Sequence, residues 1–538
     1  MYSGWLELRA ARALLRAGVL AIESPARLQV VAQTMSEYGP VGAAPRIAAL
    51  RHGPRTAIVD DGGELSFDQL NEAVNRLANT LRDRGFGPGD VLGILCRNHR
   101  WPLIAAFAAS RAGMTAVWLN TGFSVRQAAD VAAREGVDLL VFDADLADIA
   151  AAIAAPRGRF ACAVDDPAAN EIAGLSATAS PLMPPPPTRP GRLVQLTSGT
   201  TGLPKGAPRP DPRSLTIPGG LLERLPMRSR EATVVAPPLF HGTGLVIALL
   251  SISLGSTLIL RRRFDAAGVL ADIERYRATT VCLVPIMLSR IVAQGDEAVG
   301  AHDLSALRIV FCAGSRLPAQ VSGTATRLLG DVVYNLYGST EVSISTLATP
   351  SDLRAAPTTV GKPALGARVR ILDEQGRVAP TGVTGRIFVA STAPFEGYTG
   401  GGGKEIIDGM LATGDLGHFD AANRLFIDGR DDEMVISGGE NIFPGEVEEL
   451  LVTHPGIAEA AVIGVADEEF GQRLRAFVVG IPGQEIDADT VRDFVKNQLA
   501  RYKSPRDVIF VTELPRNPMG KVLKRELTTL TGDAEHRA

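Results

Sequence analysis

Between residues 196 and 206 the chain reads Leu-Thr-Ser-Gly-Thr-Thr-Gly-Leu-Pro-Lys-Gly. Four hydroxyl side chains, Thr197, Ser198, Thr200 and Thr201, alternate with Gly199 and Gly202, and Lys205 follows. Glycines let backbone N–H groups turn toward an anion, hydroxyls add donors, and the lysine adds a positive charge. That is the chemistry of a polyphosphate cradle. It is not the Walker loop, because the glycine spacing is wrong and Gly206, not Ser or Thr, follows the lysine. Gly/Ser/Thr clusters are otherwise surface loops, so the rest of the chain must decide between the two readings.

Four further stretches carry groups suited to a nucleotide and a carboxylate. Tyr337-Gly338-Ser339-Thr340-Glu341 is by itself a plausible turn and helix cap. Its glutamate also suits a hard divalent cation that shares phosphate oxygens. Thr413-Gly414-Asp415-Leu416-Gly417 offers a carboxylate able to accept two ribose hydroxyls. Asp428-Gly429-Arg430-Asp431-Asp432 reads alone as a charged turn, followed by Ser437-Gly438-Gly439-Glu440. Leu514-Pro515-Arg516-Asn517-Pro518-Met519-Gly520-Lys521 ends on a compact, flexible point charge. A fifth group, His241, precedes Gly242-Thr243-Gly244 and an apolar run; a lone histidine is usually a structural one.

Taken together and in this order, the motifs closely resemble those of the adenylate-forming superfamily, which includes acyl-CoA synthetases, firefly luciferase and nonribosomal peptide adenylation domains. The wording of residues 430–449 and the apolar segments after His241 look most like bacterial fatty acyl-CoA ligases. The resemblance spans roughly residues 40 to 530. It implies that residues 197–202 and Lys205 hold the phosphates of ATP, that Tyr337 packs on adenine, and that Thr340 touches a phosphate. It implies Mg²⁺ on Glu341, ribose on Asp415, and ribose or phosphate on Arg430. Asp432 takes the hinge position, His241 the mouth of an acyl pocket, and Gly438-Gly439 the passage for the pantetheine arm of CoA. Lys521 would serve adenylation and then leave as a small C-terminal domain rotates. Arg501 to Pro505 resembles the stretch near the CoA phosphates, and Lys524 is expected in solvent. Glu433, where Asp is common, and Met519, where a small residue is usual, are departures from the pattern.

The elements that position these groups read as α/β. Strands are expected at 55–60, 65–68, 91–95, 116–119, 139–142 and 193–196, and helices at 67–82, 102–112 and 125–135. This alternation indicates layered, largely parallel sheets. Val234 to Gly244 reads as a strand ending at the histidine, with Gly242 and Gly244 leaving room for a ligand. Val281 to Ile286 and Ile309 to Cys312 are further β-type runs. Pro181 to Pro190 is too rich in proline for helix or central strand and reads as a linker; Ala207 to Gly220 reads as irregular. Gly397 to Gly403 reads as a mobile surface loop. Strands at 456–465, 475–479 and 507–511 and a helix at 488–499 form a small α+β unit. The expected division is an N-terminal helical extension (1–39), a large ATP- and acyl-binding domain (40–431) and a small C-terminal lid domain (432–538).

At 538 residues the chain exceeds one ordinary core. Its formal net charge of -4 supplies no basic field for nucleic acid. Cys96, Cys162, Cys282 and Cys312 form no Cys-x-x-Cys pair, which disfavours a disulfide framework or zinc site and fits a reducing cytoplasm. No apolar run approaches the ~20 residues of a membrane span. Near the N-terminus Leu6, Ala10, Leu14 and Ala17 share one helical side and Arg9, Arg12 and Arg16 another. Such a helix either packs on the protein's own surface or lies peripherally in a membrane interface. A homodimer is compatible with all of this.

The reading that follows is a ligase that activates a carboxylic acid, a medium- or long-chain fatty acid in the first instance, as acyl-AMP and transfers it to CoA, using ATP and Mg²⁺. Its rivals are an aryl-acid CoA ligase, an acyl-AMP ligase that loads a carrier protein, and a nucleotide-binding protein without catalysis.

Overall fold

Serine caps begin two of the expected helices. Ser66 accepts the N–H of Gln69 and Gln69 reaches back to Ser66, closing a capping box that starts the helix Phe67–Asp83. Ser124 and Gln127 do the same for Val125–Glu135, which stops at Gly136 in the left-handed region. The helix Arg100–Ala112 is buried from Pro102 to its end, because it lies in a layer between two sheets and has no solvent face.

The computed structural model describes all residues except 1, 167, 198–203, 209–213, 393–394, 400, 438–439, 469, 519 and 531–538. Among these residues the strands form four sheets. One is wholly parallel, in the spatial order Arg159–Cys162, Leu139–Asp143, Val91–Leu95, Thr115–Trp118, Arg192–Gln195. A nine-stranded sheet has a parallel centre (Ile309–Ala313, Thr280–Leu283, Ala232–Val235, Thr257–Leu260) and antiparallel margins. Helices 67–83, 100–112 and 242–253 contribute a large share of the core between these two sheets. An antiparallel sheet around Met410–Phe419 follows, and the last sheet pairs Ile457–Asp467 with Gly471–Gly480 over its own core. The chain is thus a large α/β domain followed by a small C-terminal domain, as expected.

Four expectations are corrected here. The strand at 234 ends at Val235, and Gly242–Ser253 is a helix capped by His241, so the glycines open a helix rather than end a strand. The β-type run at 281 ends at Leu283, and Pro285 starts the helix Pro285–Val292. The irregular stretch after the phosphate loop turns helical at Thr216, with Pro218 in the first turn where a missing N–H costs nothing. The proline-rich 181–190 has no regular structure but is no free linker. Asn75, Asn79 and Arg82 of helix 67–83 donate to the carbonyls of residues 181, 180, 182 and 185, and Tyr38 donates to that of Pro184.

The helix Tyr2–Ala17 buries Ala10, Leu14 and Ala17. Ala10 lies so close to Gly219 of the Thr216–Arg224 helix that a Cβ on that glycine would come within 2.6 Å of it. The side that carries Ala10, Leu14 and Ala17 is therefore spent on the protein itself, while Trp5, Leu8 and Leu15 stay exposed, and no described helix is long and apolar enough to cross a membrane. All four cysteines are buried and unbridged.

Candidate active site

The phosphate-type loop hangs from an edge strand, Arg192–Gln195, as its sequence implies. Its neck is closed by an antiparallel bridge between Leu196 and Gly206 and by a 2.8 Å bond from Thr197 N–H to the Lys205 carbonyl. Ser198, Gly199, Thr200, Thr201 and Gly202 lie outside the described residues. Below the neck, Gly206 N–H donates to Thr399 Oγ1 at 2.8 Å, and that hydroxyl donates to the nearly buried Glu135 at 2.7 Å.

Lys205 holds its ammonium 5.5 Å from the centre of the Tyr398 ring. The Tyr398 hydroxyl donates to Glu341 at 2.6 Å, and Ser339 donates to the other carboxylate oxygen at 2.7 Å. Burial works to raise the Glu341 pKa, but these two hydroxyls, a backbone N–H and the Lys404 charge together outweigh it and leave the carboxyl below its ordinary value. It is therefore an anion at neutral pH. An ionised carboxylate flanked by hydroxyls, beside a lysine and a phosphate-type loop, fits Mg²⁺. Residues 397–399, expected as a surface loop, thus belong to the site. Thr340 occupies the turn between strands 333–339 and 343–348, next to Glu341.

Tyr337, Asp415, Arg430 and Lys521 converge on a second cluster. Strand 410–419 places Asp415 opposite Arg430 of strand 425–430. Tyr337 donates to Asp415 at 2.5 Å and Arg430 to the same carboxylate at 3.2 Å. Burial pushes the Asp415 pKa up, against the pull of Tyr337, Arg430 and Lys521, and burial together with Asp415 holds the Tyr337 phenol well above its usual range. Arg430 also binds Asp432, at the expected hinge, at 2.9 Å. The Lys521 charge acts on both Asp415 and Asp432.

The segment bearing Lys521 is seated by two glycines. A Cβ on Gly122 would strike Pro518 at 2.5 Å, and one on Gly520, at φ +73°, would strike Ile286 at 2.1 Å. Gly438 and Gly439 lie outside the described residues. Lys524 is not in open solvent: it pairs with Glu433 at 2.9 Å and Glu448 at 3.0 Å. Lys503 pairs with Glu446 at 2.6 Å.

His241 is placed by a residue that the spacing of motifs does not reveal. Asn98 donates to the Pro237 carbonyl at 2.8 Å and accepts the Leu239 N–H at 2.8 Å, pinning the loop before the helix. Gly244 serves this loop rather than a ligand, since a Cβ there would approach the Pro237 and Pro238 carbonyls to 2.7 Å. Burial lowers the His241 pKa to about 4, so the ring is neutral at pH 7. Gln195 lies beside the next residue: its amide oxygen is 3.3 Å from the place a Gly242 Cβ would take. Trp118 is the register partner of Gln195 on the adjacent parallel strand, so both side chains leave the sheet on one face, the face on which Trp118 joins the core between the two large sheets.

Residues 46–399 match the family model described as AMP-binding enzyme, and residues 446–521 match that of the AMP-binding enzyme C-terminal domain. The chain is 30% identical to the fatty acid–[acyl-carrier-protein] ligase ScoC of Streptomyces coeruleorubidus, over 93% of this chain and 96% of that protein. It is 33% identical to a feruloyl-CoA synthase of an Amycolatopsis species, over 90% and 96%. Its fold matches that of ATP-bound MatB from Rhodopseudomonas palustris with a TM-score of 0.79 and 29% identity, over 88% of this chain and 95% of that one.

Proposed function

Because this chain belongs to the AMP-binding enzymes of the adenylate-forming superfamily, we propose that it couples ATP cleavage to AMP with transfer of a carboxylic acid onto the thiol of CoA. The observation that carries the reading is the convergence of Tyr337, Asp415, Arg430 and the Lys521 charge beside the hinge, next to the Glu341–Tyr398–Lys205 group. In the first step a carboxylate oxygen attacks the α-phosphorus of ATP, the bond to the bridging oxygen breaks, and pyrophosphate leaves with the electron pair. In the second, the CoA sulfur attacks the acyl carbonyl, AMP departs, and the thiol proton goes to solvent.

Neither step needs a covalent bond to the protein. Both need position and charge stabilisation. Lys205 and the hydroxyl loop address the β- and γ-phosphates, Asp415 receives the ribose hydroxyls, and Tyr337 carries the adenine. Lys521 meets the carboxylate and α-phosphate. Glu341 would hold Mg²⁺, which supplies neutralising charge to the phosphates. Neutral His241 can stand beside an incoming carboxylate without trapping it as an ion pair.

The two half-reactions make opposite demands on the Lys521 segment, which must cover the first and clear the second. Breakage of the Arg430–Asp432 contact as the C-terminal domain turns would release it. Lys521→Ala should therefore lower acyl-AMP formation by about 100-fold or more, the scale of losing a charge that acts on the transition state. Conversion of supplied acyl-AMP to acyl-CoA should survive largely intact. Equal losses in the two steps would refute the rotation.

The acid is a medium- or long-chain fatty acid or an aryl acid. The fatty acid–[acyl-carrier-protein] ligase among the relatives supports the first, and the feruloyl-CoA synthase the second. Pyrophosphate and AMP release with octanoate, palmitate and benzoate, each with and without CoA, separates them. A single turnover that CoA does not improve would instead indicate a carrier-protein thiol as acceptor. Absence of carboxylate-dependent AMP throughout would reject catalysis.

A further inference from the structure

Three buried polar atoms around the start of helix 242–253 have no hydrogen-bond partner: the Trp118 indole Nε1, the Gln195 amide Nε2 and the His241 ring Nε2. Trp118 is 1% exposed. They come from three separate segments, two neighbouring strands and the cap of a helix: Trp118 and Gln195 are register partners, and the Gln195 amide oxygen lies 3.3 Å from the place a Cβ would take on Gly242, the residue after His241. The indole and the amide are obligate donors at these atoms. Neutral His241 adds a third atom able to donate or accept.

Such groups are expensive among apolar neighbours. Burying a polar group without a partner costs more than an ordinary hydrogen bond returns, and folded proteins leave few of them. Several other buried polar side chains in this core are paired, Asn98 with Pro237 and Leu239 and Asn71 and Asn75 with Arg111, while His52 and Ser110 are unpaired but lie elsewhere in the chain. Nothing in the strand geometry asks for a glutamine at 195 either. The residues on both sides of it, Val194 and Leu196, fill an apolar core on the opposite face.

We infer that Trp118, Gln195 and His241 form a subsite for an oxygen atom on the acid substrate, so that the preferred acid bears a hydroxyl, carbonyl or ether oxygen beyond its carboxylate. This rests on the ligase reading and sharpens it. Gln195 is two residues before Thr197 at the neck of the phosphate-type loop, so the oxygen sits toward the carboxylate end of the substrate. An unsubstituted acid of the same shape would leave both donors unpaired. Sites built to hydrogen-bond a substrate discriminate strongly against analogues that lack the bonding group.

The test compares matched acids by pyrophosphate release: benzoate with 2-, 3- and 4-hydroxybenzoate, and octanoate with 3-hydroxy- and 3-oxooctanoate. In the unaltered protein at least one oxygenated acid should exceed its parent in kcat/KM by about 10- to 100-fold, the range set by one or two buried donors left unpaired. Gln195→Met and Trp118→Phe, which keep bulk and remove a donor, should each shrink that ratio toward one. Because the ratio is taken within each variant, a partly misfolded preparation does not distort it. Parent acids used as well as every oxygenated partner would overturn the inference while leaving the ligase reading standing. So would a preference that survives both substitutions. Silence with all seven acids would overturn the ligase reading itself, and the subsite with it.

Discussion

His52 is 7% exposed, packs against Phe67 with 5.6 Å between ring centres, and has neither ring nitrogen paired. A Cβ at Gly255 would sit 2.1 Å from its ring, so a glycine is needed to admit it. Burial lowers the His52 pKa from 6.5 to about 4, with Arg230, Arg51 and Arg55 adding to the effect. The sign follows from linkage. The folded state keeps this ring neutral, the unfolded chain protonates it near 6.5, and the stability present above that value drains away as pH falls toward 4. His52→Leu should remove the unpaired nitrogens and flatten the stability–pH curve across that window, read as urea midpoints at pH 4.5 and 7.5. A slope will remain, because His241 is lowered to about 4 as well. If the curve keeps its full slope without His52, its titration is not linked to folding. At this scale the motif residues were legible because hydroxyls, glycines and charges recur at telling spacings. Tyr398, Gln195, Trp118 and Asn98 were not, since each takes its place from register or from a neighbour distant in sequence.

Arg111 shows what holds one element to the next. Its guanidinium is wholly buried without a carboxylate and donates to the Gly42 carbonyl at 2.9 Å, to Asn71 Oδ1 at 2.8 Å and to Asn75. It thereby ties helix 100–112 to helices 25–52 and 67–83, while burial depresses its pKa to about 9. Arg111→Met should destabilise the protein by about 3 kcal/mol or more, because three acceptors lose their donor together. Urea unfolding followed by circular dichroism measures this, and a loss under 1 kcal/mol would mean the layer is held by apolar contact alone. Helices with a polar face, such as 67–83 and 125–135, were readable from period and caps. Helix 242–253 was hidden for the opposite reason: it starts on Gly-Thr-Gly and continues apolar on nearly every side between two sheets, so no period shows. The 181–190 strap was misread as a linker because its attachments run through backbone carbonyls, which every sequence has.

Across the whole molecule, the Lys521 segment touches both large sheets' territories at once: Pro518 on Gly122, after strand 115–118, and Gly520 on Ile286, after strand 280–283. Gly122→Leu should drive Pro518 off its seat. Acyl-AMP formation is then expected to fall by about 10-fold or more, the scale at which small misplacements act on positioned groups, while supplied acyl-AMP still reacts with CoA. A defect confined to the second step would contradict this. The two-domain order was foreseeable from motif order and the parallel sheets from the alternation of strands and helices, whereas the seat between residues 122 and 286 joins sites 164 positions apart and leaves no mark in either. That double contact also works like a caliper. It can close only when the two halves of the large domain stand at one fixed separation, and under the proposed subsite the acid would occupy the layer between those halves. By reciprocity, whatever preference the closed caliper has for one interior filling, that filling returns as preference for closure. An ill-fitting acid is thereby disfavoured twice, once by its own contacts and once by a caliper that fails to shut.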